Sequence, residues 1–187
     1  TVPNVVGFED MLAAIPRVWA SPFTARAFAW RQAHMESPEH VYPAILMLKS
    51  VANDKSGVMV TRDLDSGDPQ ILSVAVNEGV GGAVEGQSAE SLRIDTRDGS
   101  GRLLAMATAP WRRNPAPGGG VGKVAASGSD TVLQPAEITR LISFAAELPQ
   151  RFPSIVDDAG KPAPADVEFG FLDGKLQLFQ IRPFLES

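Results

Sequence analysis

Apolar side chains recur at helical spacing in two segments near the start of the chain. Over residues 7–20 they fall at positions 8, 11, 12, 15 and 19, which predicts an amphipathic helix that Pro16 ends or kinks. Ser21 followed by Pro22 is typical of an N-cap with proline at the first helical position. We therefore expect a second helix to about residue 35, and residues 1–40 are predicted to be a helical preface.

The pattern becomes strand-like after residue 40. Residues 41–49 form one apolar run, residues 57–61 a second strand after a polar turn, and residues 70–77 a third. Residues 91–96 and 102–107 flank an Asp-Gly pair, which favours a β-hairpin. In contrast, the proline- and glycine-rich stretch 110–130 predicts a mobile loop.

One more helix and two strands are predicted toward the C-terminal end. Pro135 opens the helix, whose apolar side chains fall at positions 138, 141, 142, 145 and 148. Strands are expected over residues 166–171 and 175–181. We expect residues 41–187 to form a unit of the α+β class, an antiparallel sheet backed by helices.

Period-two alternation sorts the side chains of the last two strands onto two faces. Asp166 and Glu168 form the polar set on one strand, and Gln180 and Arg182 form it on the other. A two-residue turn at positions 173 and 174 would set Glu168 opposite Phe179 and mix the faces. A three-residue turn over 172–174, with Gly174 left-handed in a bulge, would bring the four polar side chains together.

We expect the three-residue turn. It also gathers an apolar set on the opposite face, namely Val167, Phe169, Phe171, Phe179 and Ile181.

The polar set has the chemistry of a magnesium–phosphate site. Magnesium prefers oxygen ligands in octahedral geometry, usually one or two carboxylates together with phosphate oxygens and waters. Glu168 is the natural ligand, Gln180 offers a carbonyl oxygen, and Asp166 is expected to bind directly or through water. Arg182 supplies a planar donor fork for phosphate. The simpler alternative is a solvated hairpin face with a surface salt bridge.

Four segments, in order, resemble the nucleotide-binding domain of the phosphoenolpyruvate synthase and pyruvate phosphate dikinase family. Residues 166–183 resemble its closing motif, D-x-E-W…dG-x-L-x-x-x-Q-x-R-P, with matching spacing and with Phe169 in place of tryptophan. Residues 56–61, S-G-V-M-V-T, resemble its SGV-x-F-T strand. Residues 76–86 resemble its GLGE-x-V-x-G loop, and residues 18–31 the helical segment ahead of these.

The resemblance implies the C-terminal lobe of an ATP-grasp domain that binds ATP and Mg²⁺. It places Glu168 and Gln180 at the metal, Asp166 beside them, and Arg182 on the phosphates in the catalytic role. It also places adenine against the segment before residue 56, so that four consecutive residues are expected to contact the nucleotide: Met47, Leu48, Lys49 and Ser50.

The resemblance further implies a multidomain parent enzyme. Such an enzyme cleaves ATP, passes the β-phosphoryl group to an enzyme histidine and then to pyruvate. The upstream ATP-grasp lobe and the downstream phosphohistidine and pyruvate-binding domains have no counterpart within residues 1–187, so they are expected as partners. A dikinase with another acceptor, such as a glucan or an antibiotic, and a non-catalytic nucleotide-binding module are the alternatives.

Composition excludes some classes of function, but it does not distinguish the phosphoenolpyruvate-synthase-like enzyme from its alternatives. A formal charge of −5 argues against a nucleic-acid partner, because no basic surface would displace phosphate counterions. The chain has no cysteine, which excludes disulfides and thiolate chemistry and fits a reducing compartment, so we expect a cytoplasmic location. No apolar stretch reaches the roughly 18 residues of a membrane span.

Overall fold

The structure is a computed structural model that describes residues 1–82 and 88–185. The chain divides into two compact units. The first comprises residues 1–51 with 115–122, and the second comprises residues 52–114 with 123–187. Part of the glycine-rich segment 76–86 lies outside the described residues.

The first unit contains both predicted N-terminal helices. Helix α1 covers Phe8–Ala20, and helix α2 covers Ala25–His34. Pro16 lies inside α1 and does not end it. The Ser21-Pro22 pair opens a 3₁₀ turn rather than α2, because the extended Thr24 is the residue that caps α2, with its Oγ1 accepting from the Ala27 N–H at 3.4 Å.

The predicted strand over residues 41–49 is absent from the first unit. These residues have no regular secondary structure. A strand needs a neighbour for its backbone N–H and C=O groups, and an apolar run alone does not supply one. The prediction was wrong because it rested on the side-chain pattern alone and did not identify a strand with which residues 41–49 could pair.

Six strands form one sheet in the second unit. They are β1 (Lys55–Val60), β2 (Ile71–Glu78), β3 (Glu90–Asp95), β4 (Gly101–Ala105), β7 (Ala165–Leu172) and β8 (Lys175–Pro183). Their order is β4-β3-β2-β1-β7-β8, and every neighbouring pair is antiparallel. Helix α3 (Pro135–Arg151) covers one face of the sheet. The predicted α+β class, an antiparallel sheet backed by helices, is confirmed.

Stretch 110–130 is not the irregular loop that was predicted. It holds strands β5 (Trp111–Pro115) and β6 (Val121–Ala125), which form a two-stranded ribbon. The Lys123 ammonium lies 3.8 Å from the centroid of the Trp111 ring, a cross-strand cation–π contact that pattern counting overlooks. Glycines 118–120 form the turn between the strands rather than marking disorder.

The core lies between α3 and the covered face of the sheet. Leu141, Phe144 and Leu148 of α3 are buried against apolar side chains that alternate along the strands. The Nζ of Lys55 on β1 lies 2.6 Å from Oε2 of Glu137 in the first turn of α3. The same carboxylate oxygen accepts from the Gln134 N–H at 2.8 Å. This pair of contacts fixes the start of the helix against the sheet.

Candidate functional site

The terminal hairpin brings together the four polar residues that the sequence pointed to. On β7 and β8, Asp166 pairs with Arg182 and Glu168 pairs with Gln180. Residues directly opposite each other on neighbouring strands project to the same face of a sheet. The predicted grouping of the four side chains is therefore present in the structure.

The turn that produces this grouping differs from the prediction. Leu172 pairs with Lys175, so the turn has two residues, Asp173 and Gly174, with φ of 49° and 70°. Two consecutive positive φ angles characterise the type I′ turn, for which Asp-Gly is a preferred sequence. The three-residue turn was wrong because a bulge further along the strand corrects the register instead.

That bulge lies in β8, where Phe179 is the extra residue. Phe169 pairs with Leu178, but the next pair is Glu168 with Gln180. Because β8 has a neighbour on one side only, an additional residue is accommodated there without disturbing a second strand. Phe179 is 40% exposed and unpaired, so it is not the cross-strand member of the apolar set that we expected.

Asp166 and Arg182 form an ion pair. Both Nε and Nη2 of Arg182 lie 2.7 Å from Oδ2 of Asp166. The carboxylate side chain is only 13% exposed, whereas the guanidinium side chain is 59% exposed. Asp166 therefore holds one edge of the guanidinium in place while the rest of the group faces outward.

Glu168 and Gln180 supply oxygen donors one pair further along the hairpin. Glu168 is half-buried and Gln180 is exposed. Among the described residues, neither side chain takes part in a hydrogen bond or an ion pair. This leaves a carboxylate and an amide, opposite each other, available for a ligand.

A shallow groove of about 250 Å³ lies on the same face of the sheet. Its floor includes Val58 and Val60 of β1, which pair with Glu168 and Asp166 respectively. Its far side carries Arg93, whose Nε lies 2.7 Å from Oδ1 of Asp63. A hydrogen bond from the Ser66 hydroxyl is the main cause that lowers the pKa of Asp63, so this carboxylate favours its charged form. The face is thus apolar in the middle and charged on both sides.

Sequence reasoning missed Asn53, which is 5% exposed and packs against this hairpin. A Cβ on Gly170 would lie 2.5 Å from Nδ2 of Asn53, so the strand glycine makes room for the amide. The Oδ1 of Asn53 has no hydrogen-bond partner among the described residues. A glycine inside a strand marks a close approach, and Gly170 was the signal that would have indicated this contact.

Residues 79–81 of the glycine-rich segment after β2 use their backbone N–H groups in hydrogen bonds within the chain. The Gly79 N–H donates to the Asp54 carbonyl at 2.6 Å and the Val80 N–H to the Arg113 carbonyl at 2.9 Å. The Gly81 N–H donates to the Ser56 hydroxyl at 2.8 Å, and that hydroxyl donates to the Gly79 carbonyl. These three N–H groups therefore do not form an open phosphate cradle.

The four residues expected at adenine belong to the first unit. Residues 47–50 are exposed and have no regular secondary structure, whereas the four hairpin residues belong to the second unit. Within the described residues, no group of three or more His, Cys, Asp or Glu side chains is arranged to hold a metal ion. None of the helices in that part of the chain is long and apolar enough to cross a membrane.

Comparison with known proteins shows similarity over the whole chain. Residues 1–187 match a family described as pyruvate phosphate dikinase, AMP/ATP-binding domain. The chain is 31% identical over 202 residues to a probable phosphoenolpyruvate synthase of Methanothermobacter thermautotrophicus. It is 27% identical over 190 residues to the phosphoenolpyruvate synthase of Pyrococcus furiosus, and 26% identical over 188 residues to a rifampicin phosphotransferase of a Streptomyces species.

Each of these three alignments includes 98% of the chain. They cover 26% of the Methanothermobacter protein, 23% of the Pyrococcus protein and 20% of the Streptomyces protein. The chain therefore corresponds to about a quarter or less of the length of the relatives it matches.

Proposed function

We propose, because the chain belongs to the pyruvate phosphate dikinase AMP/ATP-binding domain family, that it supplies the magnesium- and phosphate-binding part of an ATP site. Family membership supports ATP binding. The finer proposal concerns which side chains take part and in which reaction.

The observation that carries the proposal is the pairing on the polar face of the hairpin. Asp166 lies opposite Arg182, and Glu168 lies opposite Gln180. A guanidinium for phosphate therefore stands one residue pair away from two oxygen donors for a cation. The rival interpretation, a solvated face with a surface salt bridge, explains the ion pair and leaves Glu168 and Gln180 hydrated. Family membership is what favours a ligand site over this interpretation.

The residues present fit magnesium bound through a nucleotide rather than through a protein cage. Magnesium commonly takes one or two carboxylates and completes its shell with phosphate oxygens and waters. Glu168 and Gln180 would hold the ion, which when bound would neutralise phosphate charge. In this proposal Asp166 assists at the metal and also orients the guanidinium that binds phosphate, because its Oδ2 contacts Arg182.

The proposed parent is a phosphoenolpyruvate-synthase-like phosphotransferase with an ATP-grasp domain. Two of the similar proteins are named as phosphoenolpyruvate synthases, which supports that activity for the parent. Transfer through an enzyme histidine to pyruvate is part of this proposal. The rifampicin phosphotransferase similarity favours a second candidate, a dikinase whose acceptor is an antibiotic. A glucan acceptor and a non-catalytic nucleotide-binding module are further alternatives. A cytoplasmic location stays a prediction.

Under this proposal the site is completed by other parts of the polypeptide. An upstream ATP-grasp lobe would supply cationic groups for the phosphates, and phosphohistidine and pyruvate-binding domains would follow. Met47, Leu48, Lys49 and Ser50 would contact adenine, largely through backbone groups. The short coverage of the relatives supports such additional domains.

Calorimetric titration with ATP, with and without magnesium, tests the site in a protein that includes the upstream lobe. Glu168→Ala should abolish the magnesium-dependent part of binding, because the ion loses its carboxylate. Arg182→Ala should weaken binding with or without magnesium, because the phosphate loses its donor fork. Unchanged affinity in both variants contradicts the assignment.

Asp173→Asn is the matched control for these variants. It also removes a carboxylate from the hairpin, but at the turn rather than on the polar face. Asparagine tolerates the positive φ of 49° at this position, so the turn should persist. ATP affinity should therefore remain at the wild-type value. Asp166→Asn should resemble a mild form of Arg182→Ala, because it loosens the guanidinium without removing it.

A further inference from the structure

Asn53 carries a side-chain amide whose hydrogen-bonding capacity is unused. The residue is 5% exposed. Within residues 1–82 and 88–185, neither Oδ1 nor Nδ2 of this amide has a hydrogen-bond partner, and Oδ1 is shielded from solvent whereas Nδ2 is not fully buried. Buried side-chain polar atoms are nearly always paired, so an exception calls for an explanation such as a ligand or an ordered water.

The amide lies on the same face of the sheet as the candidate metal ligands. A Cβ on Gly170 would lie 2.5 Å from Nδ2 and 2.9 Å from Oδ1 of Asn53, so the amide fills the position that a side chain of residue 170 would take. Residues 168 and 170 of β7 face the same way, because side chains alternate along a strand. Two residues of a strand span about 7 Å, which separates the amide from the position of Glu168 along β7.

Three polar groups therefore follow one another along this face. The Asn53 amide comes first, and two cross-strand pairs come after it: Glu168 with Gln180, and Asp166 with Arg182. Chain connectivity adds the segment expected at adenine, because residue 50 precedes Asn53 by three residues, which span at most about 11 Å. The order is base segment, amide, oxygen donors for a cation, and guanidinium.

A nucleotide has the same order of parts. Its sugar joins the base to the phosphates. In the proposed site the base lies against residues 47–50, and the cation and phosphates lie at Glu168 and Arg182. The sugar then falls at the Asn53 amide. A sugar hydroxyl both donates and accepts hydrogen bonds, and so does an amide, so the two groups are complementary.

We propose that the Asn53 amide binds the ribose hydroxyls of the nucleotide and so selects ribonucleotides over deoxyribonucleotides. Nδ2 donates to one hydroxyl oxygen, and Oδ1 accepts from a hydroxyl after a partial turn about the Cβ–Cγ bond. That torsion is broad in asparagine, and no hydrogen bond of the amide among the described residues opposes the turn. The inference rests on the proposed nucleotide site and assigns sugar recognition to a residue outside the terminal hairpin.

A nucleotide that lacks the hydroxyl should bind more weakly, because an amide atom is then left without a partner. A site that hydrogen-bonds a hydroxyl rejects the analogue without it mainly through the polar group left unpaired. The alternative explanation for the unpaired oxygen is an ordered water that bridges it to the chain. A bridging water gives no dependence of affinity on the sugar hydroxyls, so the two explanations predict different results.

Calorimetric titration of the full-length gene product with ATP, 2′-deoxy-ATP and 3′-deoxy-ATP, each with magnesium, tests the inference. The wild-type protein should bind at least one deoxynucleotide roughly 5- to 30-fold more weakly than ATP, the effect of one lost hydrogen bond and one unpaired group. Asn53→Ala should weaken ATP binding by a similar factor and leave the affinity for that deoxynucleotide unchanged. The ratio of the two affinities should therefore approach one.

Asn77→Ala is the matched control. Asn77 is also buried, at 3% exposed, and its Oδ1 has no partner among the described residues, but its Nδ2 donates to the Ser88 carbonyl at 2.8 Å. This variant should keep the wild-type discrimination between ATP and the deoxynucleotides. Should Asn53→Ala fail to fold, the double variant Asn53→Ala with Gly170→Ala restores the packing, because the new Cβ takes the place of the amide.

Four results would overturn the inference. The first is equal affinity of the wild-type protein for all three nucleotides. The second is discrimination that persists in Asn53→Ala. The third is a loss in Asn53→Ala by the same factor for all three nucleotides, because a purely structural role would act in this way. The fourth is equal loss of discrimination in Asn77→Ala, which would indicate general loosening of the sheet.

Failure of the nucleotide site itself gives a different pattern. Unchanged ATP affinity in both Glu168→Ala and Arg182→Ala, or no ATP binding by the wild-type protein, would contradict the proposed site and the sugar contact together. If those two variants lose affinity as expected and any of the four results above is found, only the sugar contact is wrong.

Discussion

Replacement of Gly57 by alanine tests whether the sheet is packed as the structure describes. Gly57 lies in β1, between β2 and β7, and pairs with Phe169. A Cβ at this position would lie 2.4 Å from the Ala75 carbonyl oxygen, 2.9 Å from Cζ of Phe169 and 3.1 Å from Cα of Val76. Two of these three neighbours are backbone atoms of a paired strand, so they cannot retreat without breaking hydrogen bonds.

The loss in free energy of unfolding caused by Gly57→Ala follows from these distances. Overpacking in a rigid core typically costs about 1–3 kcal/mol, and contact with fixed backbone places Gly57→Ala at the upper end. Removal of a glycine returns roughly 0.4–1 kcal/mol through the entropy of the unfolded chain. We expect a net loss of about 2–2.6 kcal/mol. For a protein of this size that lowers the thermal midpoint by roughly 4–10 °C.

Thermal and urea unfolding, followed by circular dichroism, measure the effect against a matched control. Gly101→Ala alters a glycine in the edge strand β4, where the nearest atom among the described residues would be the flexible end of Ile138 at 4.0 Å. This variant should keep the entropy gain without the clash and so raise the free energy of unfolding by roughly 0.4–1 kcal/mol. Equal midpoints for Gly57→Ala and wild type, or an equal loss in both variants, would refute the packing argument.

Two further predictions concern carboxylates of the same unit. Glu90 is 1% exposed, and its oxygens accept from the Val132 and Leu133 N–H groups at 2.6 and 2.9 Å. Glu90→Gln turns an amide N–H₂ toward a backbone donor and should cost about 1.5–3 kcal/mol in urea unfolding. Glu147→Gln, on the exposed surface of α3, should cost clearly less, because its ion pairs are solvated. The Arg97 side chain, by hydrogen bonding, lowers the pKa of Asp95 from 3.8 to about 2. Because the folded pKa is depressed, the stabilisation is present above about pH 4 and is lost as the pH falls toward 2. Asp95→Asn should make the thermal midpoint fall less steeply over that interval, and an unchanged slope would contradict the assignment.

The terminal hairpin shows how far sequence reasoning reaches at the candidate site. Residue types, spacing and alternation indicated the four polar residues and their common face, and both are present in the structure. The predicted three-residue turn was wrong, because Asp173-Gly174 forms the two-residue turn that this dipeptide prefers. The register was then adjusted at Phe179, where an edge strand tolerates an extra residue.

The first unit shows the opposite case. Residues 41–49 have the composition of a strand, yet the backbone has nothing to pair with in the part of the chain that the structure describes. The side-chain pattern of one segment shows a preference for an extended conformation. Strand pairing also requires a second segment, which this pattern does not specify. Asn53 is a similar case, because burial of its amide against Gly170 depends on how distant residues meet.

By itself, the sequence determined the helices α1 and α3, the strands of the main sheet, the α+β class and the identity of the polar residues on the last hairpin. These are set by local spacing, which each segment carries within itself. Only the tertiary structure decided strand order, the ribbon in stretch 110–130, the bulge at Phe179 and the engagement of Asp166 with Arg182. Each of these depends on contacts between segments, whose geometry no single segment encodes.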